Sequence, residues 1–420
     1  MQWSEYTTAE RLKALRGGMT QEGLAQRAKV SVGVVKKLEQ GGTASLPSLL
    51  SIADALETDI AVLFGQQAPR RAMAVGERAA LRLVSAATHD AAIGIPSDVE
   101  PGTTAELREA VIRADAAYWA GRYTELGALL AQLLPEARAR WDAAGTAERE
   151  AAGGVLVDVF QTAGMAANVW GARDLAYAAL TYGRQIAGLI GDDLRDAHLA
   201  ATTSWVNLRD GRTSQGFALA AAQAVRIEPR MSEQDADRWS VYGQLVTNAA
   251  VAASRGGAPD DTAREYLSQA HAVAARLSSE HARGGHAQPY GPMYTATQAM
   301  SVAVALGDVS QALELMDTTK LDDELVPLAT RARYGLDVAQ IHVEVGRGEA
   351  AAGQLEEVCR MAPEWVRHQV LPGVIIARLA GAVPVKRLRK LADAAGVPLG
   401  VQDRAAATAD GTSVPGTWSR

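Results

Sequence analysis

The sequence predicts an all-α protein, in which a small N-terminal unit of five short helices precedes a long array of helix hairpins. Apolar residues recur at three- and four-residue spacing for about 300 residues, and alternating runs of β-branched residues are almost absent. Glycines followed by one or two polar residues interrupt this pattern every 40 to 50 residues or so. Such regular interruptions are typical of arrays in which each unit is a pair of antiparallel helices.

Length and composition indicate an ordered protein of two or three domains. The chain has 420 residues, of which 48% are hydrophobic and 21% are charged. Its longest apolar stretches, such as Leu371 to Ile376, are far shorter than the ~20 residues of a membrane-spanning helix, and the N-terminus lacks the features of a signal peptide. A cytoplasmic location without a membrane partner is therefore expected. A single cysteine, Cys359, excludes an intrachain disulfide and a cysteine-based zinc site within one chain.

Charge is distributed unevenly along the chain. The net charge is −6, yet the segment from Arg11 to Gln40 holds seven basic and only two acidic side chains. Four of the seven lysines fall in this segment. Binding to a nucleic acid would therefore depend on this local patch and not on the overall charge.

Capping residues and glycine pairs define the five N-terminal helices. Thr7 and Glu10 form a capping box, and Gly17-Gly18 and Gly41-Gly42 end the first and third helices. The residues expected to open the five helices are Thr7, Thr20, Ser31, Ser45 and Thr58. The apolar residues expected to form the core are Leu12, Leu15, Leu24, Ala25, Ala28, Val35, Leu38, Leu46, Leu49, Leu50, Ala53, Leu56, Ile60, Leu63 and Phe64.

The segment from Thr20 to Gly41 resembles the helix-turn-helix of the phage-repressor family, the Cro and CI-like or xenobiotic-response-element regulators. The resemblance implies a DNA-binding domain at residues 1–65 whose third helix enters the major groove. Two residues depart from the family pattern. Lys29 replaces a glycine at a turn that needs positive φ, which costs roughly 1 kcal/mol, and Gly23 lies inside helix two, which costs roughly 1 kcal/mol relative to alanine.

The outward face of the third helix supplies the candidate DNA contacts. Valine methyl groups can touch thymine methyls, and lysines can reach guanine O6 and N7 or phosphates. For Gln21, at the start of helix two, the resemblance implies a phosphate or adenine contact. The alternative is that the lysines form the solvated face of a protein-interaction module. The candidate residues are Gln21, Ser31, Val32, Gly33, Lys36 and Lys37.

A linker at 66–76 and a helical region at 77–399 are expected next, and a flexible tail at 400–420 completes the chain. Parts of the helical region, 205–229 and 302–315, resemble tetratricopeptide repeats, in which small residues let neighbouring helices pack closely. The resemblance implies a right-handed α-solenoid with a concave ligand-binding side. The glycines expected to mark its hairpins are Gly121, Gly171, Gly211, Gly256, Gly307 and Gly346.

The combination of both parts is similar in architecture to the peptide-sensing regulators of Gram-positive bacteria. This similarity implies a peptide or small-molecule effector on the concave side, where asparagine amides can bind a peptide backbone. The alternative is that these asparagines are ordinary polar residues or make hydrogen bonds between repeats. The candidate ligand-binding residues are Asn168, Trp170, Trp205, Asn207 and Asn248.

Catalysis is not predicted. The chain lacks the glycine-rich nucleotide-binding strings and the His-Glu-x-x-His string of zinc proteases, so no catalytic residue, cofactor or metal ion is expected. The sequence instead predicts a dimeric transcription regulator that binds an inverted-repeat operator in double-stranded DNA. The alternative is an adaptor that holds another protein on its helical repeats and uses the N-terminal domain as a scaffold.

Overall fold

The computed structural model describes residues 6–56, 58, 60–64, 75–96, 98–286 and 288–397. Over these residues it contains 21 α-helices and no strand, which confirms the predicted all-α class. None of the helices in these ranges is long and apolar enough to cross a membrane. The predicted tail and all but the last two residues of the predicted linker lie outside the described residues.

The N-terminal helices form a compact unit, residues 6–64, which we call the head. Leu12, Leu24, Val35, Ile52 and Leu63 are fully buried where its helices meet. The fifth helix begins two residues after the predicted Thr58. The head helices are α1 (Thr8–Arg16), α2 (Gln21–Arg27), α3 (Val32–Glu39), α4 (Leu46–Ala55) and α5 (Ile60–Leu63).

Most of the predicted caps of the head are present. Thr7 and Glu10 make a reciprocal capping box, and the hydroxyl groups of Thr20 and Ser45 accept hydrogen bonds from the first turns of α2 and α4. Ser31 is the N-cap residue of α3, as predicted, although its hydroxyl makes no capping hydrogen bond. Lys29 has φ +53°, which confirms that a non-glycine residue occupies the strained turn between α2 and α3.

The remaining helices, α6 to α21, form what we call the array. Its first helix packs against α8, and its last helix packs against α18 and α20, so the apolar faces at both ends are covered. The array helices are α6 (Val75–Ile93), α7 (Thr104–Trp119), α8 (Tyr123–Ala143), α9 (Arg149–Val169), α10 (Arg173–Ile190), α11 (Asp193–Arg209), α12 (Thr213–Ile227), α13 (Ala236–Ala252), α14 (Asp260–Leu277), α15 (Pro292–Leu306), α16 (Val309–Thr318), α17 (Leu328–Glu344), α18 (Gly348–Met361), α19 (Pro363–Val366), α20 (Leu371–Leu379) and α21 (Val385–Ala395).

Six successive helix hairpins make up the array between α7 and α18, each with an odd-numbered first helix. The six predicted glycines lie at the turns inside these hairpins, and all have positive φ, from +70° at Gly121 to +102° at Gly256. A residue with a β-carbon rarely adopts this conformation, so glycine is the residue that lets the two helices fold back on each other. The short segment Ala253–Gly257, a π-helical turn, lies between α13 and α14.

Small residues bring neighbouring helices of the array into close contact. On α13, Gly243 lies beneath the ring of Tyr290, and a β-carbon built on this glycine would lie 2.2 Å from two ring atoms. Tyr290 is fully buried, and its hydroxyl donates a hydrogen bond of 2.9 Å to the carbonyl oxygen of Ala270. The ring cannot move away without breaking that hydrogen bond.

We therefore expect Gly243→Ala to destabilise the array, because the new methyl group must displace the ring. Overpacking of this kind costs about 1 to 3 kcal/mol. The matched control is Gly188→Ala, at an exposed position of α10 where a β-carbon meets nothing within 4 Å. This substitution should stabilise the helix by about 0.5 to 1 kcal/mol. Thermal unfolding followed by circular dichroism measures both, and equal shifts in the two midpoints would contradict the packing described here.

Candidate nucleic-acid interface and interior cavity

The third helix of the head presents one face to solvent and one to the core. Val35 and Leu38 point inward and are buried, whereas Gly33, Lys36 and Lys37 are exposed and Val32 is half-buried. These four residues occupy one continuous arc of α3, since successive residues turn by about 100° around a helix axis. Ser31, the residue before α3, is also exposed. The structure thus places four of the six predicted DNA-binding residues on one arc, with Ser31 exposed next to them in the chain.

The sixth residue, Gln21, is engaged inside the head. Its Nε2 donates a 2.6 Å hydrogen bond to the carboxylate of Glu39, and Nε of Arg16 donates another of 2.6 Å to the same carboxylate. Glu39 is 5% exposed, so this cluster joins α1, α2 and α3 in a largely dry setting. The prediction treated Glu39 only as part of a family pattern. Because Glu39 lies on the inward side of α3, helical spacing could have predicted that its carboxylate has partners inside the head.

The partners of Glu39 control its ionisation. Burial by itself would raise the pKa of Glu39, but hydrogen bonds from Arg16 and Gln21, together with the charges of Arg16 and Lys13, lower the pKa below its ordinary value. The folded pKa is therefore below the unfolded one. The stabilisation from Glu39 is present at neutral pH and is lost as the pH falls through that lowered pKa.

The lysines of α3 remain available to a partner. The only ion pair formed by Lys36 among the described residues is with Glu22 at 3.9 Å, where both side chains are more than half exposed. Exposed pairs of this kind contribute under about 1 kcal/mol and are screened by salt. A phosphate group can therefore replace Glu22 as the partner of Lys36 at little cost.

The comparisons with known proteins agree with this geometry. Residues 11–63 match the family model described as helix-turn-helix. This part of the chain is a helix-turn-helix domain. The match indicates a DNA-binding transcription regulator, and it ends with the last residue of α5, so the tetratricopeptide resemblance of the array stays a prediction. No curated protein matches the chain.

A second feature is a cavity of about 270 Å³ on the inner side of the array. The first helix of each of the six hairpins contributes to its wall, which is the arrangement expected of a concave ligand-binding side. Aromatic rings from three of these helices, α7, α11 and α15, and from α19 form much of the surface. These are Tyr118, Trp119, Trp205, Tyr294 and Trp365.

Three of the five predicted ligand-binding residues line this cavity, namely Asn168, Trp205 and Asn248. Trp170 and Asn207 lie elsewhere and are buried among the helices. Their separation follows from helix geometry, because residues two apart on a helix point in nearly opposite directions. Whether the three lining residues bind a ligand stays a prediction.

The asparagine amides also hold helices together. Oδ1 of Asn168 accepts a 2.8 Å hydrogen bond from Arg173, and Nδ2 of Asn248 donates one of 2.8 Å to the carbonyl oxygen of Ala201. Among the described residues, the other amide atom of each side chain has no hydrogen-bond partner. The inter-helix role considered from the sequence and a ligand-binding role are therefore compatible in these two residues.

A buried polar group in the cavity wall was not predicted from the sequence. Asp115 and His286 lie there 3.5 Å apart, and His198 lies beside His286. Burial, and then the electrostatic effects of Arg283, His286 and Arg195, hold the pKa of His198 well below its ordinary value, so its ring is uncharged at neutral pH. Within the described ranges, no group of three or more histidine, cysteine or acidic residues is placed to hold a metal ion.

The head itself forms part of the cavity wall. Leu50, Ala53 and Asp54 of α4 line it, opposite the array helices. Oδ1 of Asp54 accepts a 2.9 Å hydrogen bond from the hydroxyl of Thr213 at the start of α12. Pro47, also on α4, contacts the array at Gly307, where a β-carbon would lie 3.1 Å from its Cγ. The feature of the sequence that could have predicted this contact is that α4 has apolar residues on more than one side.

Glu39 provides a test of how the head is held together. In Glu39→Ala, Arg16 and Gln21 lose their shared acceptor, and charged hydrogen bonds of this kind contribute about 1.5 to 3 kcal/mol. We expect amide hydrogen exchange in α1 to α3 to accelerate accordingly at pH 7, with α9 unchanged. Glu22→Ala removes the same charge from an exposed position and should leave exchange unaltered. Equal exchange in both variants would show that the buried carboxylate does not hold the head together.

Proposed function

We propose that the chain is a dimeric, sequence-specific DNA-binding transcription regulator whose activity responds to an organic effector in the cavity. The observation that carries this proposal is the basic face of α3 on a helix-turn-helix domain, where Lys36 and Lys37 are both exposed. A structural scaffold has no need of two unburied lysines on this helix. A surface that binds phosphates and base edges does.

In the proposed complex, α3 enters the major groove. Lys36 and Lys37 contact phosphates or guanine edges, and Val32 contacts a thymine methyl group. Ser31 and Gly33, at the start of the helix, allow its backbone to approach the DNA closely. Gln21 reaches a phosphate only by exchanging its bond to Glu39, so we assign it a weaker part in binding than the lysines.

A dimer accounts for specificity. The head is small and has few side chains that can read bases, so one copy buries too little surface to select a single operator. Two copies on half-sites about one helical turn apart, in an inverted repeat, multiply the selectivity. The array is the part of the chain large enough to hold two copies together.

An effector would act through the cavity. Asn168, Trp205 and Asn248 offer amide and aromatic groups to a peptide or small molecule there. Any ligand that binds one arrangement of head and array more tightly than another shifts the population toward that arrangement. The operator must then change the affinity for the effector by the same factor as the effector changes the affinity for the operator.

The test of DNA binding is the double variant Lys36→Ala, Lys37→Ala. Binding to a duplex selected from random sequence should weaken, and the slope of log affinity against log salt should fall by up to about 2, because two phosphate contacts are lost. Fluorescence anisotropy over a salt series measures both quantities. Sedimentation of the wild-type complex should give two chains per duplex.

The matched control is Lys386→Ala, Lys390→Ala, which removes two exposed lysines from α21, far along the chain from the head. It should leave affinity and slope unchanged. If the α3 variant binds as the wild type does at every salt concentration, α3 does not dock on DNA. If wild-type protein fails to bind duplex DNA, the adaptor function replaces the proposed one. A complex with only one chain per duplex would contradict the proposed dimer.

A further inference from the structure

We propose that the effector is a small, uncharged, largely aromatic molecule, held between the head and the array in contact with both, and not an extended peptide. This inference rests on the regulatory role proposed above and deepens it by naming the class of ligand. It depends on three properties of the cavity: its volume, the contacts that its charged side chains already make, and the residues of the head and the array that form its wall.

The size of the cavity favours a small ligand. Its volume of about 270 Å³ lies just below the range of ~300 to 1,000 Å³ that is usual for ligand pockets. The groove that would otherwise accommodate an extended peptide along the array is occupied by α4, whose Leu50 and Ala53 face the interior. A peptide of several residues would have to displace the head, whereas a molecule with two fused rings would not.

The charges around the cavity favour an uncharged ligand. Each acidic or arginine side chain in the wall already has a partner within the described part of the protein. A charged ligand could reach one of these side chains only by competing with its present partner, and it would also lose part of its hydration in the cavity. The five pairings are Asp54 with the hydroxyl of Thr213, Asp115 with His286, Arg209 with the carbonyl oxygen of His368, Arg255 with the ring of Trp205, and Arg333 with Asp337.

The uncharged part of the wall suits an aromatic body with one or two polar substituents. Five aromatic side chains line the cavity, and aromatic pairs prefer the offset or edge-to-face contacts that a planar ligand can make with several of them. The free amide atoms of Asn168 and Asn248 can pair with a hydroxyl or carbonyl group of the ligand. A hydroxylated aromatic molecule thus satisfies both the apolar and the polar parts of the wall.

Contact with α4 couples this ligand to the DNA-binding surface. Leu50 and Ala53 belong to the same helix whose adjacent side, at Leu49 and Ile52, packs in the core of the head, where α4 contacts α2 and α2 contacts α3. A ligand that touches Leu50 therefore binds the docked head more tightly than a displaced one. By linkage, it changes the range of orientations that α3 can adopt toward DNA.

The experiment compares two probes with the same ring system and different charge. They are 2-naphthol, which is uncharged at pH 7, and 2-naphthoate, which is an anion. Equilibrium dialysis against the full chain should show one 2-naphthol bound per chain and affinity for 2-naphthoate at least about tenfold weaker. Equal affinities, or no saturable binding of 2-naphthol, would overturn the proposed ligand class.

Variants then test the contribution of the head to the site. Leu50→Ala removes apolar contact with the probe and should weaken 2-naphthol binding by about five- to tenfold. The matched control is Leu129→Ala, which truncates a half-buried leucine of α8 outside the cavity and should leave binding unchanged. Equal binding to both variants would show that the head is not part of the site.

The coupling is measured by repeating DNA binding with 2-naphthol present. The operator affinity of wild-type protein should shift, and the shift should be smaller in Leu50→Ala. An unchanged operator affinity at saturating 2-naphthol would overturn the coupling. Dialysis needs no DNA, so a failure of the ligand class remains distinct from a failure of the regulator function, which would appear as an absence of DNA binding without any probe.

Discussion

The arrangement of this protein depends on the packing of α4 on two sides. One side, with Leu49 and Ile52, is part of the core of the head, and the other, with Leu46, Leu50 and Ala53, faces the array. A surface helix normally has a single apolar stripe, so a second one marks a second partner. Because α4 is common to both contacts, the same helix fixes the position of the head on the array and forms part of the cavity wall.

The array supplies the complementary surface through closely packed small residues. Helix α9 is buried over nearly its whole length, as expected for a helix with neighbours on all sides, and its Asp158 is held by Arg195 and Arg283. Burial alone would raise the pKa of Asp158, but the two arginines lower it below its ordinary value, so the carboxylate stays charged inside the protein. Removing both arginines would leave a buried charge without compensation.

The sequence was most informative where structure is local. The caps of α1, α2 and α4, the positive φ of Lys29 and the hairpin glycines depend on a few neighbouring residues, and each was predicted correctly. The outward arc of α3 also followed from helical spacing alone. Helical spacing could also have shown that Asn168 and Trp170 do not line the same cavity, since residues two apart on a helix point in nearly opposite directions.

Contacts between distant segments could not be predicted in this way. Periodicity shows that α4 has apolar residues on two sides, but it does not identify the partner of the second side. The hydrogen bond from Thr213 to Asp54 joins residues 159 positions apart, and the buried pair of Asp115 and His286 joins α7 to the segment between α14 and α15. Such pairs depend on how the whole array curves, which is a sum of small rotations that no single repeat specifies.

The most direct measurement of head docking is a disulfide trap between Asp54→Cys on α4 and Gly256→Cys in the array. A β-carbon at position 256 would lie 3.9 Å from that of Asp54, within the usual disulfide range of ~3.5 to 4.5 Å. The φ of +102° at this glycine costs a cysteine about 1 to 2 kcal/mol, which a mild oxidant can offset. The native Cys359 does not compete, because burial raises its pKa to about 11.

If the head docks as described, the two introduced thiols should form one intramolecular disulfide, detected as the loss of two hydrogens in the intact mass. A control pair, Asp54→Cys with Gly188→Cys on the exposed side of α10, should remain reduced under the same conditions. Thiols at 54 and 256 that both react with maleimide after oxidation would contradict the docking of α4, and with it the part of the cavity wall that α4 forms and the proposed coupling to DNA.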